Sequence, residues 1–333
     1  MNPNVPAAEA DFAILGAGAI GTILGAHLAR AGHRVVMLVR ETRAGQILAD
    51  GLRITGLADF SIPVCTLRDP AQLRRARILI VAMKTPGTAA VLAALRHVEL
   101  EMAFSIQNGP QKNELLRAIF GAPAVLGAIA DISGEMSADG HVTFTRNVNI
   151  LLGELSGEAT ARSSALAQLI ASAGVRSAAV AHIESLEWSK FVVWVGLLIL
   201  SVTTRAPTWC YLSDPDGALA LVRLAREMAL LCESRGIALT DHAVLPAATL
   251  CTGSEAAAVQ AVLRAGADFQ RNAPTHRMSS LQDLQAGRPL EIHETLGLAV
   301  HDARARGLAV PLLDACYRIV SAIDRGARNW PVS

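Results

Sequence analysis

The sequence predicts an α/β domain with a doubly wound parallel sheet, followed by an all-helical domain. In the first half, short apolar runs alternate with helical stretches, a rhythm typical of a parallel sheet that helices cover on both faces. After about residue 184 the strand signals almost vanish and helical periodicity dominates. A chain of 333 residues is long enough for two ordinary domains, which we place at 1–183 and 184–333.

The elements of the first domain follow from its apolar pattern. Four buried apolar runs predict parallel strands at 12–16, 33–40, 76–83 and 102–107. Helices are predicted between and after them, at 19–31, 88–98 and 159–173. From about 123 to 154 the chain has β-branched, glycine-punctuated segments, which we interpret as extra strands that extend the same sheet. The stretch 175–182 completes the domain.

The second domain shows helical spacing of its apolar residues. Its clearest helix is predicted at 213–236, with Ser213 or Asp214 as the N-cap and Gly236 as the stop signal. Further helices are predicted at 255–268, 290–306 and 311–325. The very apolar run at 191–202 is shorter than the roughly 20 residues that a bilayer-spanning helix needs. We therefore expect no membrane partner.

Composition and charge narrow the class of protein. The net charge is +1, with acidic and basic residues mixed along the chain, so the sequence carries no electrostatic footprint for nucleic acid. The N-terminus lacks the basic segment of a secretory signal. Five cysteines are scattered without CxxC spacing. Together these features predict a reduced, cytoplasmic enzyme with no nucleic-acid partner and no metal ion.

A glycine-rich turn follows the first strand. Gly16, Gly18 and Gly21 form a G-x-G-x-x-G pattern with Ala19 and Ile20 inside it, and the pattern opens a helix. This strand–turn–helix context is the one that a dinucleotide site requires, because the pyrophosphate lies at the helix N-terminus. The alternative is a glycine-rich surface for helix packing. We predict a Rossmann-type cofactor site at these five residues.

The end of the second strand indicates which dinucleotide binds. Arg40 stands where an NAD site usually has an acidic residue for the ribose hydroxyls. A guanidinium can bind a 2′-phosphate but offers no acceptor to a 2′-hydroxyl. The sequence therefore favours NADP as the cofactor. The alternative is a solvent-facing arginine at the end of a strand.

Lysine is rare in this chain. Only Lys84, Lys112 and Lys190 occur among the 30 basic residues. Lys190 stands at the head of a strongly apolar segment, and a lysine beside an apolar wall can give up its proton, whereas an arginine stays charged. Lys190 could equally reach from a buried helix to solvent. The residues alone leave both interpretations open.

Five motifs occur in an order that resembles the ketopantoate reductase (2-dehydropantoate 2-reductase) family. They are GAGAIG, VAMKT at 81–85, IQNGP at 106–110, WSKF at 188–191 and SSLQDLQAGRPLEIHETLG at 279–297. The resemblance covers most of the chain and implies an NADPH-dependent reductase of a 2-oxo acid such as ketopantoate. It also implies a Rossmann-type domain, a helical domain and a substrate cleft between them.

The same resemblance implies roles for individual residues. Lys84 matches a lysine near the cofactor, and Asn108 matches an asparagine between nicotinamide and substrate. Lys190 matches the catalytic lysine. Ser279 matches a substrate-binding serine, and Glu291 an active-site glutamate that approaches the substrate. A lysine ammonium can polarise a carbonyl oxygen and donate a proton to the developing alkoxide, while the cofactor supplies the hydride.

The sequence departs from the family pattern close to Lys190. Where that pattern has two asparagines that help to hold the substrate, the chain has Trp194 and Leu198. A pocket lined by these residues would be more apolar, which favours a bulkier apolar 2-oxo acid or ketone over ketopantoate. This expectation fails if both side chains face the helical core. A further alternative is a non-catalytic NADP-binding sensor, which would not need both Lys190 and Glu291.

Other arrangements compete for parts of the site. His182, with two glutamates close by in the sequence, could serve as the acid in place of Lys190. His293 and Glu294 begin an HExxH zinc pattern, but Gly297 replaces its second histidine.

Two motifs also have purely structural interpretations. Ser279 and Ser280 could cap the helix that follows them, and the Asn108–Gly109 pair could form a plain turn. We expect a small-molecule 2-oxo acid as the binding partner, with a homodimer as one option for assembly.

Overall fold

The computed structural model describes residues 9–242 and 244–329. The chain divides into two compact units, Met1–Glu184 and Ser185–Ser333, against an expected boundary after residue 183. An α/β first unit and a helical second unit confirm the predicted fold class.

Among the residues that the structure describes, all strands lie in the first unit. They are β1 (Glu9–Leu15), β2 (Val35–Leu38), β3 (Leu52–Gly56), β4 (Phe60–Ile62), β5 (Cys65–Leu67), β6 (Arg75–Val81), β7 (Glu99–Ser105), β8 (Leu126–Met136), β9 (Val142–Glu154) and β10 (Ser177–Ala179). The helices of this unit are α1 (Ala19–Arg30), α2 (Glu41–Asp50), α3 (Thr88–Ala94), α4 (Gln111–Phe120) and α5 (Ala161–Ser172).

Five strands form a parallel sheet in the order β5-β2-β1-β6-β7. The central strand β1 pairs with β2 on one side and with β6 on the other, so that Ile14 lies opposite both Met37 and Ile80. Alternate residues of β1 enter two different apolar cores, Phe12 in one and Ala13 in the other. Both faces of the sheet are therefore covered, as the apolar runs predict.

The segment 123–154 does not extend this sheet, so that prediction was wrong. The hairpin of β8 and β9 belongs to a second sheet, in which the remaining strands follow the order β10-β9-β3-β4. A single parallel bridge, between Ala103 and Val125, connects the two sheets.

The burial of α1 gives the physical reason for the second sheet. Eight of the 12 residues of α1 are buried, so the helix needs apolar cover on more than one side. Ile23 shares one core with Phe12 of the first sheet and with Ile54 and Phe144 of the second. The pattern of β8 and β9 shows that they are strands, but it does not show which helix they cover.

The second unit is helical throughout its described residues. Its helices are α6 (Ile183–Thr204), which begins at the end of the first unit, α7 (Thr208–Leu212), α8 (Pro215–Ser234), α9 (Ala247–Cys251), α10 (Glu255–Asn272), α11 (Ser279–Gln285), α12 (Leu298–Ala305) and α13 (Pro311–Asn329). A π-helical turn, His293–Gly297, precedes α12. Asp214 caps α8 by accepting a hydrogen bond from the Gly217 N–H at 2.8 Å, which confirms one of the two predicted N-caps.

The apolar run near Lys190 lies within α6, which is longer than the run itself. With 22 residues, α6 is the one helix in the described part of the chain that is long and apolar enough to cross a membrane. However, 78% of its most apolar window is buried inside the structure, which is typical of a core helix. Its side chains divide between two apolar cores, one containing Phe191 and Leu198, the other Val193 and Leu197.

Candidate active site

The glycine turn joins β1 to α1, and its three glycines serve different purposes. Gly16 has φ +99°, and a Cβ atom there would lie 2.7 Å from Met83 Cα. A Cβ at Gly21 would lie 2.0 Å from the Gly16 carbonyl oxygen. The fold itself therefore requires glycine at both positions.

Gly18 differs from the other two glycines because, apart from its own chain neighbours, no heavy atom lies within 4 Å of its Cβ position. It is the N-cap of α1 and forms no side-chain cap, and Ala19 and Ile20 are the first residues of the helix. The first N–H groups of a helix have no partner within the helix and attract anions. Open space beside these donors fits a dinucleotide pyrophosphate.

Arg40 lies two residues beyond β2 and is the N-cap of α2. Its side chain is exposed and forms no hydrogen bond or ion pair with any residue that the structure describes. The guanidinium is thus available to bind an external anion. It lies at the end of β2, where the ribose of a bound dinucleotide would be recognised.

Arg43, one turn further along α2, has a role that the sequence analysis missed. Its Nε donates to the Ala17 carbonyl oxygen at 3.0 Å, inside the glycine turn, and one terminal nitrogen donates to Thr22 Oγ1 at 2.9 Å. Its other terminal nitrogen donates to Gln46 at 3.2 Å. Burial lowers the pKa of Arg43 from its ordinary value, and the nearby Asp139 opposes this shift. Arg43 fastens α2 to the glycine turn.

Lys84 and Asn108 lie in the loops that follow β6 and β7. These strands are adjacent and parallel, so both loops leave the same edge of the sheet as the glycine turn. Lys84 is exposed and Asn108 partly exposed. Gln107 connects the loops, because its side-chain nitrogen donates to the Met83 carbonyl at 2.9 Å and to Thr88 Oγ1 at 2.8 Å. The first unit thus brings the predicted cofactor residues to one sheet edge.

In the second unit, the segments that carry Lys190, Ser279 and Glu291 share one apolar core. Lys190 itself is partly exposed, but its neighbour Phe191 is buried in this core. Leu281, two residues after Ser279, and Ile292, directly after Glu291, are buried in the same core. Two motifs that begin about ninety residues apart in the sequence are therefore held together by packing.

Ser279 is the first residue of α11 and is exposed. The N-cap position is occupied by Met278, and no side-chain cap forms. The hydroxyl of Ser280 is buried without a hydrogen-bond partner. The alternative that these serines cap the helix is therefore wrong, and the role of Ser279 in binding the substrate stays a prediction.

Glu291 is partly exposed and precedes the π-helical turn. The Thr295 hydroxyl donates to the Glu291 carbonyl oxygen, and the Gly297 N–H donates to the Ile292 carbonyl at 2.7 Å. A Cβ at Gly297 would lie 3.0 Å from the Tyr317 ring. Close packing on Tyr317 thus explains the glycine that interrupts the HExxH pattern.

Two further histidines and a buried cysteine are alternative candidates for catalytic or metal-binding groups. His293 Nδ1 lies 2.9 Å from the Tyr317 hydroxyl, and the described residues contain no cluster of three or more metal-ligating side chains. His182 is exposed, and its backbone N–H donates to the Gly157 carbonyl at 2.7 Å. Burial raises the pKa of Cys232 to about 12, so this thiol is no nucleophile near neutrality.

Trp194 and Leu198 are 8% and 1% exposed and belong to the core that contains Phe191. The Trp194 ring stacks on the Phe191 ring, with centroids 6.1 Å apart. Packing inside the helical unit explains both residues. They give no support to the expectation of a more apolar substrate pocket.

A parallel sheet whose first strand ends in a glycine turn that fits a dinucleotide is typical of nucleotide-dependent oxidoreductases. Comparison with known families is consistent with this class. The model described as "Ketopantoate reductase PanE/ApbA" matches residues 12–157, and its C-terminal counterpart matches residues 182–324. Together they cover most of the chain, which therefore belongs to the ketopantoate reductase family. The chain is accordingly a pyridine-nucleotide-dependent oxidoreductase that acts on a CH–OH group.

Individual relatives extend along the whole chain. The 2-dehydropantoate 2-reductase of Archaeoglobus fulgidus is 26% identical over 314 residues, which cover 94% of this chain and 97% of the relative. A PanE/ApbA family ketopantoate reductase structure from Ralstonia eutropha has a TM-score of 0.79 at 24% identity, over 94% of this chain and 98% of that one. D-mandelate dehydrogenase, solved with NADH and anilino(oxo)acetate, has a TM-score of 0.82 at 16% identity, over 95% and 98%. These two structures establish the shared fold.

Proposed function

We propose that this protein is an NADPH-dependent reductase that converts a 2-oxo acid, such as ketopantoate, into the 2-hydroxy acid. One observation carries the proposal. The segment bearing Lys190 meets the segment bearing Ser279 and Glu291 in one apolar core, although roughly a hundred residues separate the two in the sequence. The family positions that matter for substrate and proton transfer are thus assembled on a single unit, while the first unit supplies a turn that fits the cofactor.

The first unit would hold NADPH through its glycine turn and the loops beside it. The pyrophosphate would lie at the open Gly18 position, against the N–H groups at the start of α1. The exposed Arg40 would bind the 2′-phosphate, and Lys84 would add a second positive charge near the cofactor. When bound, NADPH supplies the hydride.

The second unit would supply the proton and the substrate contacts. Lys190 would donate a hydrogen bond to the substrate carbonyl oxygen and then the proton that the alkoxide needs. Ser279 would donate a hydrogen bond to the substrate, and Glu291 would orient Lys190 and contact the substrate as well. A protein that only sensed NADP would have no use for this lysine and glutamate together.

The identity of the 2-oxo acid is tested by a substrate panel. NADPH oxidation is measured with ketopantoate, a small aliphatic 2-oxo acid and an aromatic 2-oxo acid, and kcat/KM is compared among them. We expect ketopantoate to be among the best substrates, because Trp194 and Leu198 are core residues. A strong preference for the aromatic acid would instead favour the bulky-substrate alternative, and no reduction of any acid would favour the sensor.

Two further features belong to the same proposal. The scattered, unpaired cysteines favour the reducing environment of the cytoplasm. A homodimer stays a prediction, which a measurement of molar mass in solution would test.

A further inference from the structure

Lys112 is the one lysine of this chain to which neither the sequence motifs nor the proposed reaction assigns a role. It lies in the first turn of α4 and is 7% exposed. Burying an ammonium group is costly unless hydrogen bonds replace its water. This chain otherwise has arginine at nearly all its basic positions, so a buried lysine close to the Asn108 loop needs an explanation.

The ammonium of Lys112 joins two elements through their backbones. Its Nζ donates to the Gln107 carbonyl oxygen at 2.9 Å and to the Ala128 carbonyl oxygen at 2.6 Å. Gln107 is in the loop after β7, and Ala128 is in β8. Hydrogen bonds from a charged donor are stronger than those between neutral groups. Lys112 thus ties the loop to the neighbouring strand.

Fixing the Gln107 carbonyl also fixes the next residue. The peptide group is planar and trans, so the N–H of Asn108 must point away from the carbonyl that Lys112 holds. The side chain of Gln107 is held as well, by the Met83 carbonyl and Thr88 Oγ1 on one side and by Ser105 Oγ at 3.0 Å. Both ends of Gln107 are therefore anchored immediately before Asn108.

Asn108 itself has no such anchors. Neither hydrogen bonds nor ion pairs connect its side-chain amide to any residue within the described ranges, and Gly109 after it has φ +86°. The amide is thus presented on a turn whose position depends on the residue before it. An amide free of internal partners can contact a ligand without breaking an existing hydrogen bond.

We propose that Lys112 is a positioning residue, which holds the Gln107–Asn108 peptide so that the Asn108 amide meets the nicotinamide end of the bound cofactor. This inference rests on the proposed NADPH-dependent reduction. It assigns to Lys112 no contact with substrate or cofactor. Its effect on the reaction passes through Asn108 alone.

The test compares Lys112→Met, which keeps an unbranched side chain but loses the terminal nitrogen and its donors, with Leu116→Ala on the same helix. Leu116 is fully buried in the core under α4, so its truncation lowers stability without touching the loop. We expect Lys112→Met to lower kcat roughly 10- to 100-fold, as a misplacement of about 1 Å can. The Kd for NADPH should change much less, and Leu116→Ala should keep kcat within about twofold of the wild type.

Two further measurements separate positioning from a general loss of stability. In the protein without cofactor, Lys112→Met should increase amide hydrogen exchange of residues 106–109, whereas Leu116→Ala should not. In a double-mutant cycle, Lys112→Met should have little further effect on kcat in an Asn108→Ala background, because both changes disable the same amide. If Lys112→Met does not fold, Lys112→Gln, which also ends one atom short of the lysine nitrogen but carries a neutral amide, is measured against the same expectations.

Several outcomes would overturn the inference. They are a wild-type kcat in the Lys112 variant, unchanged exchange in the loop, additive effects with Asn108→Ala, or an equal loss of kcat in Leu116→Ala. Failure of the proposed function is distinguishable from these results, since the wild-type protein would then reduce no 2-oxo acid with NADPH.

Discussion

Arg40 and Arg43 lie one turn apart at the start of α2 and have different surroundings. Arg43 has its nitrogens engaged by the glycine turn and by Gln46, whereas Arg40 is exposed. We therefore propose that Arg40 recognises the 2′-phosphate, while Arg43 positions α2.

The first prediction concerns this division between the two arginines. The wild-type protein should bind NADPH at least about ten times more tightly than NADH, because a charge-assisted hydrogen bond to the 2′-phosphate is available only in NADPH. Arg40→Asp should reduce or invert this preference. Arg43→Met is the control and should weaken the binding of both cofactors to a similar degree. Titration of each variant with both cofactors gives the dissociation constants, and equal affinities in the wild type would contradict the assignment.

The second prediction concerns Lys190. Lys190→Ala should abolish measurable turnover while NADPH affinity stays nearly unchanged, because a positioned general acid typically contributes about 10²- to 10⁴-fold to the rate. Steady-state kinetics and NADPH titration are measured on the same folded sample. Near-normal turnover would mean that Lys190 merely extends from α6 to solvent.

Single residues of the candidate site could be predicted from the sequence more readily than the residues that they contact. Arg40 could be assigned from its position after the second strand, and Gly16 and Gly21 from their spacing. The contact of Arg43 with Ala17 could not, because it depends on how α2 returns to the glycine turn. The anchoring of Asn108 through Lys112 depends in the same way on the position of β8.

Among the elements, α1 lies between the two sheets and carries a buried histidine. His27 Nδ1 lies 2.9 Å from the Ala173 carbonyl oxygen, and its ring packs edge-on against Phe60 and Phe144. Burial lowers the pKa of His27, and the positive charge of Arg30 adds to this effect, while the Ala173 carbonyl opposes it.

The third prediction follows from the lowered pKa of His27. In the unfolded chain a histidine titrates near pH 6.5, whereas His27 in the folded protein stays neutral to a lower pH. Between these two pKa values the unfolded state binds more protons, so the free energy of unfolding must fall as the pH falls. Urea unfolding from about pH 7.5 to 5.5 should show this loss, and His27→Phe should reduce it. If the free energy of unfolding of the wild type and of His27→Phe fell equally with pH, His27 would be excluded as the cause.

The fourth prediction concerns the start of α13. The Glu227 carboxylate on α8 accepts hydrogen bonds from the Leu312 and Leu313 N–H groups at 3.0 and 2.7 Å. Loss of a cap of this kind costs roughly 1–2 kcal/mol. Glu227→Ala should lower the free energy of unfolding by about this amount. Glu233→Ala, an exposed position on the same helix, should be nearly neutral, and equal effects of the two changes would contradict the capping role.

Local sequence patterns were sufficient to predict most of the strands and helices but not all the pairings between strands. The strands of the first sheet and the main helices of the second unit were predicted near their observed places. β3 and β4 were missed because they are short and only partly apolar. The second sheet was assigned to the first because alternation within β8 and β9 does not show that α1 is the helix they cover.

At the scale of the whole molecule, the order of motifs was sufficient to predict the family, and both family models confirm it. The substrate was harder to predict, because Trp194 and Leu198 replace polar residues of the family pattern. The sequence suggested an apolar pocket, whereas the packing of both residues explains them as core. A substitution whose side chain packs in the core adds no direct contact to a ligand, so these two residues do not by themselves indicate a different substrate.

We propose that the protein transfers a hydride from NADPH to the carbonyl carbon of a 2-oxo acid, with Lys190 supplying the proton. The most direct test uses NADPH deuterated at the transferable C4 position, with ketopantoate first and the other 2-oxo acids after it. We predict a 2-hydroxy acid that carries one deuterium at C2 for each NADPH oxidised, and no product from Lys190→Ala. Tight NADPH binding without deuterated product from any 2-oxo acid would contradict the account.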